Sequence, residues 1–322
     1  MKLYIPIYLQ VAVSTSFRMI KLKSLQRKTG LYNERGKHMN KLISLLTALG
    51  LIFGSVPCIA LIFGTAAYAD EDVHLSDAQK LEVLDDLEPD LLKNINSEYI
   101  TRENVIDTLF NIYYKGYELC EMDLANCPYS DVTNGILYYK IRMVNYIGER
   151  LSIQGVGNGN FEPERNCTLS EFIKFSFLIA GYDMHVEIIS QKNKIDVFPD
   201  AYIKCASEKN IVSKDEDFNR FITKDDVENI LSKILFVPSI QRVGYSAIFD
   251  WSYPVIHNIY DIDFTYGKLN KLPGDKIKVG DTEITGSVDK SFYMKNCTAL
   301  YKEDGEEKVL YKIFADESQA VD

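Results

Sequence analysis

One helix-start device occurs three times in this chain, and it constrains the fold more than any other feature. SEYITRENVIDTLFNIYYKG (97–116), FEPERNCTLSEFIKFSFLIAG (161–181) and FNRFITKDDVENILSKIL (218–235) each place a Thr three residues ahead of Asn, Glu or Asp. An apolar run at helical spacing follows each time. This is the capping box: the Thr hydroxyl accepts from the N3 amide and the N3 side chain reaches back to the N-cap amide. The Thr positions are 101, 168 and 223. A spacing of about 55–65 residues signals an internal repeat. The second helix has its stop in Gly181.

The second and third segments also match upstream. Residues 129–155 carry Ile141, Val144, Ile147 and Leu151 at helical spacing, and residues 195–214 open with the same Asp-Val and end in Asn-Ile-Val. The unit reads as Asp-Val, helix, short loop with Phe, capping box, helix. The first copy has only a reduced first half, in residues 75–96. Such helix–loop–helix units cannot bury their apolar faces alone, but three can share one core.

Charge separates the chain into two parts. Residues 1–69 carry nine Lys/Arg and one Glu, a net of +8, so the chain total of −10 leaves −18 for residues 70–322. A body that acidic is a poor match for nucleic acid, whose affinity comes from neutralised phosphates. From Met39 a single Lys, a long apolar core and the triplet Ala67-Tyr68-Ala69 read as a secretory signal peptide over 39–69, cleaved before Asp70. Left uncleaved, this stretch would be the chain's one membrane contact. Residues 1–38 then read as an upstream extension. Glu34-Arg35-Gly36 fits a purine-rich ribosome-binding run before a start at Met39.

Five cysteines follow the signal segment: Cys120, Cys127, Cys167, Cys205 and Cys297. An odd, scattered set is no disulfide framework, although Cys120 and Cys127 could close a small loop. Zinc has no Cys/His cluster to hold it, and no cofactor is expected. Asp215, Asp217, Asn219 and Asp226 fall at positions of a calcium loop, but Arg220 stands where that loop needs Gly, so calcium is the weaker reading. Asn166-Cys-Thr168 and Asn296-Cys-Thr298 match a glycosylation sequon by chance.

The threefold pattern resembles the S-layer homology domain of bacterial, clostridial-type cell surfaces. The residues that carry the resemblance are Ser130-Asp131-Val132, Tyr139 at the usual Trp position, the loop GVGNGNFEP and Thr168-Leu-Ser-Glu171. Ile100-Thr101-Arg102, Asn210-Ile211-Val212 and Ile222-Thr223-Lys224 add to it. It covers about half of the chain. The resemblance implies a mainly α fold: three helix–loop–helix repeats (75–120, 128–183, 195–235) in a pseudo-threefold spindle over 70–235. It also implies non-covalent binding of a peptidoglycan-linked secondary cell-wall polysaccharide, often pyruvylated, in grooves between the prongs. Carried over residue by residue, the ligand contacts are Arg102, Lys224, Tyr139, Glu171, Gly157 and Gly159. An Arg in a helix's first turn sets its planar fork beside free amides, and both can hold a carboxylate. Loop glycines let the backbone approach a sugar. Leu169 and Lys224 stand where the motif has Arg, so one groove loses the charge and another the bidentate geometry.

From Phe236 the pattern changes. Residues 236–322 read as a small β-rich domain, with turns at Pro273-Gly274, Gly280-Asp281 and Asp304-Gly305 and a hairpin over 298–314. Trp251 with Tyr253 reads as core before it reads as a sugar platform. No acid, base and nucleophile converge in the sequence, so the expectation is a non-enzymatic, secreted surface protein of the cell wall or S-layer. The alternatives are an adhesin or assembly protein that binds a surface-protein partner through the β domain, and a truncated remnant of a larger surface enzyme.

Overall fold

The structure is a computed structural model and describes residues 73–147, 153–243 and 246–316. The signal-peptide and start-site readings, and Leu151 of the expected helix, lie outside the described residues. The described residues fall within one compact unit. Among the described residues, no helix is long and apolar enough to cross a membrane.

Eight α-helices are described: α1 (Asp77–Leu87), α2 (Arg102–Tyr113), α3 (Gly135–Ile147), α4 (Leu169–Ala180), α5 (Asp183–Asn193), α6 (Tyr202–Glu208), α7 (Lys224–Ile234) and α8 (Val255–Tyr260). All three Thr residues are N-caps with the reciprocal bond in place. Thr101 N donates to Asn104 Oδ1 at 3.3 Å, Thr168 N to Glu171 Oε2 at 3.1 Å and Thr223 N to Asp226 Oδ2 at 2.8 Å. Ser76 and Gln79 make a fourth capping box, at the start of α1. α4 ends at Gly181 in the left-handed conformation, φ 74°.

The residues just before the three Thr caps meet at one point. Ile100 N donates to Ile222 O (3.0 Å), Ile222 N to Cys167 O (3.0 Å) and Cys167 N to Ile100 O (2.8 Å), which closes a ring of three backbone bonds. All three side chains are fully buried. The ring is extended by Arg102 N to Arg165 O and Leu169 N to Arg220 O, each 3.0 Å. Three helices, α2, α4 and α7, therefore start around one hub. Apolar faces of α2, α3, α4 and α7 close a common core that includes Ile106, Leu109, Ile141, Phe172, Ile173 and Leu231.

The expected fold class needs correction. The chain is α+β, not mainly α, because residues 238–315 build two sheets. β1 (Pro238–Val243) pairs antiparallel with β2 (Ser246–Pro254). β3 (Ile262–Lys271), β4 (Lys276–Val279), β5 (Thr282–Thr285), β6 (Asn296–Asp304) and β7 (Glu307–Ala315) close a barrel in the order β3-β4-β5-β7-β6. Strands β6-β3-β4-β5 form a Greek key, and β7 closes it with a parallel contact to β5. The hairpin expected over 298–314 is β6–β7.

Nor does the helical part consist of three equal helical repeats. α5 follows α4 within three residues, before the third segment begins, and α1 is the sole helix described ahead of the first box. What recurs is the local cap, a short-range device; the helices around it differ. The barrel is not an appendage either. It has an inner core of Leu269, Ile277, Val279, Ile284 and Ala299, while Ile262, Leu300 and Phe314 join the helical core. α1 lies against β6 and β7. Gln79 Nε2 donates to Ala315 O, Lys312 pairs with Glu82 at 2.7 Å and with Asp86, and Thr298 Oγ1 donates to His74 O at 2.8 Å.

Candidate functional site

Arg102 sits in the first turn of α2, where the sequence placed it, but its guanidinium points into the protein. It is 2% exposed. Nε donates to Phe161 O (2.8 Å), Nη1 to Glu171 Oε1 (2.6 Å) and Nη2 to Gln154 O (3.0 Å). The rings of Phe161 and Phe175 lie 4.7 and 5.1 Å from Cζ. Burial lowers its pKa from the ordinary arginine value, opposed by the Glu171 charge. An Arg committed in three directions positions the hub; it offers no free fork to a ligand.

Glu171 is the other centre of this network. It caps Thr168 and takes two bonds from Arg165, Nη2 to Oε1 at 2.7 Å and Nη1 to Oε2 at 3.2 Å, besides that from Arg102. Burial raises its pKa. The Arg165 bonds, the Thr168 amide and the Arg102 charge outweigh this and hold the carboxyl below the usual glutamate value. The third cap repeats the arrangement: Arg220 donates to both oxygens of Asp226 at 2.7 Å. Sequence reading did not single out this clamp. Its signal was Arg six residues before the capping carboxylate, in 165/171 and in 220/226. The first segment has Glu98 and Asn104 there, an anion and a neutral amide, so the cation that makes the clamp is missing.

The loop glycines serve conformation. Gly157 and Gly159 have φ of 101° and 82°, and a Cβ at either would meet nothing within 4 Å. Left-handed backbone explains them without any close approach. Asp131 holds the far end of the loop: Oδ1 accepts from Phe161 N and Oδ2 from Glu162 N, both at 2.7 Å. The Asp of the Asp-Val opening is thus a loop clamp, and it places Phe161 on the Arg102 guanidinium.

Tyr139 is partly buried, with its ring 6.0 Å from Phe110 in edge contact, while Tyr138 beside it is buried and donates to Asn126 O. The structure therefore separates Tyr139 from the Arg102–Glu171 network. The Tyr253 ring lies 4.3 Å from that of His257, tilted by 32°; the side chain of Trp251 lies outside the described residues. Asp226 is occupied by Arg220 and Thr223, and Asp217 Oδ1 accepts from Asn219 N within its own turn. Among the described residues, no group of three or more His, Cys, Asp or Glu is placed to hold a metal ion. Cys120, Cys127, Cys167, Cys205 and Cys297 are free thiols, and burial pushes Cys205 up to about 12.

Lys224 is the one cationic candidate that faces an opening. It lies on the first turn of α7 and lines a groove of about 260 Å³ with Asp85, Glu88, Leu92, Lys93 and Glu228. Among the described residues, Lys224 has no salt-bridge partner. Glu228 has its carboxyl raised by burial, then by Asp85 and Asp225, with Lys224 opposing. Three carboxylates and two ammonium groups beside Leu84, Pro89, Leu91 and Leu92 make a small groove of mixed character that suits a ligand with both hydroxyls and C–H faces.

No family model matches this chain, and no curated protein or solved structure matches it either.

Proposed function

We propose that this chain is a secreted, non-catalytic protein of the bacterial cell surface that binds a cell-wall polysaccharide through the groove beside Lys224. One observation carries the reading. Lys224 stands at the motif position of the third segment, and it lines an open groove of mixed polar and apolar character instead of entering the hub. The S-layer homology resemblance of the caps supplies the ligand class, and the acids and lysines in the groove lining suit sugar hydroxyls. Localisation follows from the signal-like segment read in the sequence. Arg102 and Glu171 then act by holding the hub, and Tyr139 by packing beside Phe110.

The test is sedimentation of the purified full chain with cell-wall sacculi, before and after removal of the secondary polysaccharide, with Lys224→Ala and Lys93→Ala alongside. Polymer-dependent binding that drops in both variants supports the proposal. A folded wild type that stays in the supernatant refutes it, as does binding unchanged by polymer removal.

A further inference from the structure

The C-terminal end of α2 carries an unusual concentration of tyrosine: Tyr113, Tyr114 and Tyr117 lie within five residues. Their rings form a connected series. Phe110 lies 5.4 Å from Tyr114, Tyr113 is 5.2 Å from Tyr114, and Tyr117 is 5.3 Å from Tyr114 at 75°. Tyr114 is the anchor. It is 8% exposed, and its hydroxyl donates to Met143 O at 3.0 Å. Gly116, at φ 81°, turns the chain so that Tyr117 N donates to Tyr114 O, which returns Tyr117 to the anchor ring. The outer rings stay open: Tyr113 is 36% exposed and Tyr117 is 62% exposed.

This end of α2 is tied directly to the groove. Lys115, between the tyrosines, donates to Leu87 O and Glu88 Oε1 at 3.3 and 3.0 Å. Glu88 lines the groove that holds Lys224. We propose that Tyr113 and Tyr117 are an aromatic platform that continues the groove, on which a pyranose ring of the same glycan chain stacks. This rests on the groove reading above. A flat ring held by a buried neighbour loses little entropy on contact, and the face of a pyranose presents C–H groups to it. An apolar protein segment is the poorer occupant: the adjoining groove has Leu84, Pro89, Leu91 and Leu92 in its lining, but such a segment would also bury Asp85, Lys224 and Glu228 without supplying them a polar partner.

The experiment is calorimetric titration of the full chain with two defined probes, chitotetraose and cellotetraose, using wild type, Tyr117→Ala, Tyr117→Trp and Tyr113→Ala. Circular dichroism checks that each variant is folded. The expected result is binding of at least one probe, weakened about tenfold by Tyr117→Ala, the loss of one stacked ring, and retained by Tyr117→Trp. Wild-type binding that Tyr117→Ala leaves unchanged overturns the platform, as does no binding of either probe. The sacculus assay separates the two proposals. Wall binding that depends on Lys224 but not on Tyr117 leaves the groove reading standing and removes the platform. Tetrasaccharide binding that depends on Tyr117 with no wall binding refutes the groove reading and leaves the tyrosines as a separate sugar-stacking site.

Discussion

Replacing Arg102 by Met is the sharpest test of the hub, because it separates a structural arginine from a ligand-binding one. The side chain is 2% exposed and makes three hydrogen bonds, two of them to the carbonyls of Gln154 and Phe161. Removing one partner of a buried ion pair costs about 3–5 kcal/mol when the other charge is left alone. Here Glu171 keeps two bonds from Arg165, so its charge stays paired. The loss then falls mainly on two carbonyls deprived of a charged donor, which places the cost at the lower end, about 3 kcal/mol. For a unit of this size that corresponds to a fall in Tm of about 6–12 °C. Arg102→Lys should lie between, since an ammonium cannot span three acceptors in one plane. Thermal and urea unfolding followed by circular dichroism give both numbers. A change under about 1 kcal/mol for Arg102→Met would refute the reasoning and mean that the guanidinium is not engaged in solution.

The remaining predictions concern the loop clamp and pH. Asp131→Ala frees the amides of Phe161 and Glu162; it should cost about 2 kcal/mol and speed hydrogen exchange at those two amides and around Gly157 and Gly159, as read by exchange mass spectrometry. Glu171 and Asp226 have lowered carboxyl pKa values in the folded state, so their contribution is complete above the ordinary carboxylate range and is lost as pH falls through the folded values. His257 runs the other way. Burial lowers its pKa, but Asp263, 2.9 Å from Nδ1, and the charges of Asp261 and Glu303 outweigh this and raise it. Its contribution is complete below the ordinary histidine value and declines as pH rises through the raised one. Unfolding midpoints measured from pH 3 to 9 should therefore fall on both sides of a maximum between the ordinary carboxylate range and the ordinary histidine value. His257→Asn should flatten the alkaline side alone and Asp226→Asn the acid side alone; a variant that alters the opposite side would contradict the assignment.

The local parts of this protein were legible from the residue pattern alone. Thr101, Thr168 and Thr223 cap helices because capping needs only residues within one turn, and Gly181 stops α4 for the same reason. The β6–β7 hairpin was legible from Asp304-Gly305 between alternating strands. The candidate site was legible only as positions. Arg102, Lys224 and Glu171 share a motif, yet one is buried in the hub, one lines an open groove and one is clamped by Arg165. Nothing within a few residues of each encodes that difference. It depends on what the fold brings from far along the chain: Phe161 and Gln154 onto Arg102, residues 85–93 opposite Lys224. The closure of β3–β7 into a barrel and its packing on α1 were likewise hidden, because parallel and non-sequential strand contacts such as β5–β7 and β3–β6 carry no local signature. Short-range hydrogen bonds fixed where helices begin; only the shared burial of apolar faces across the whole unit decided which charged side chains remained available to a ligand.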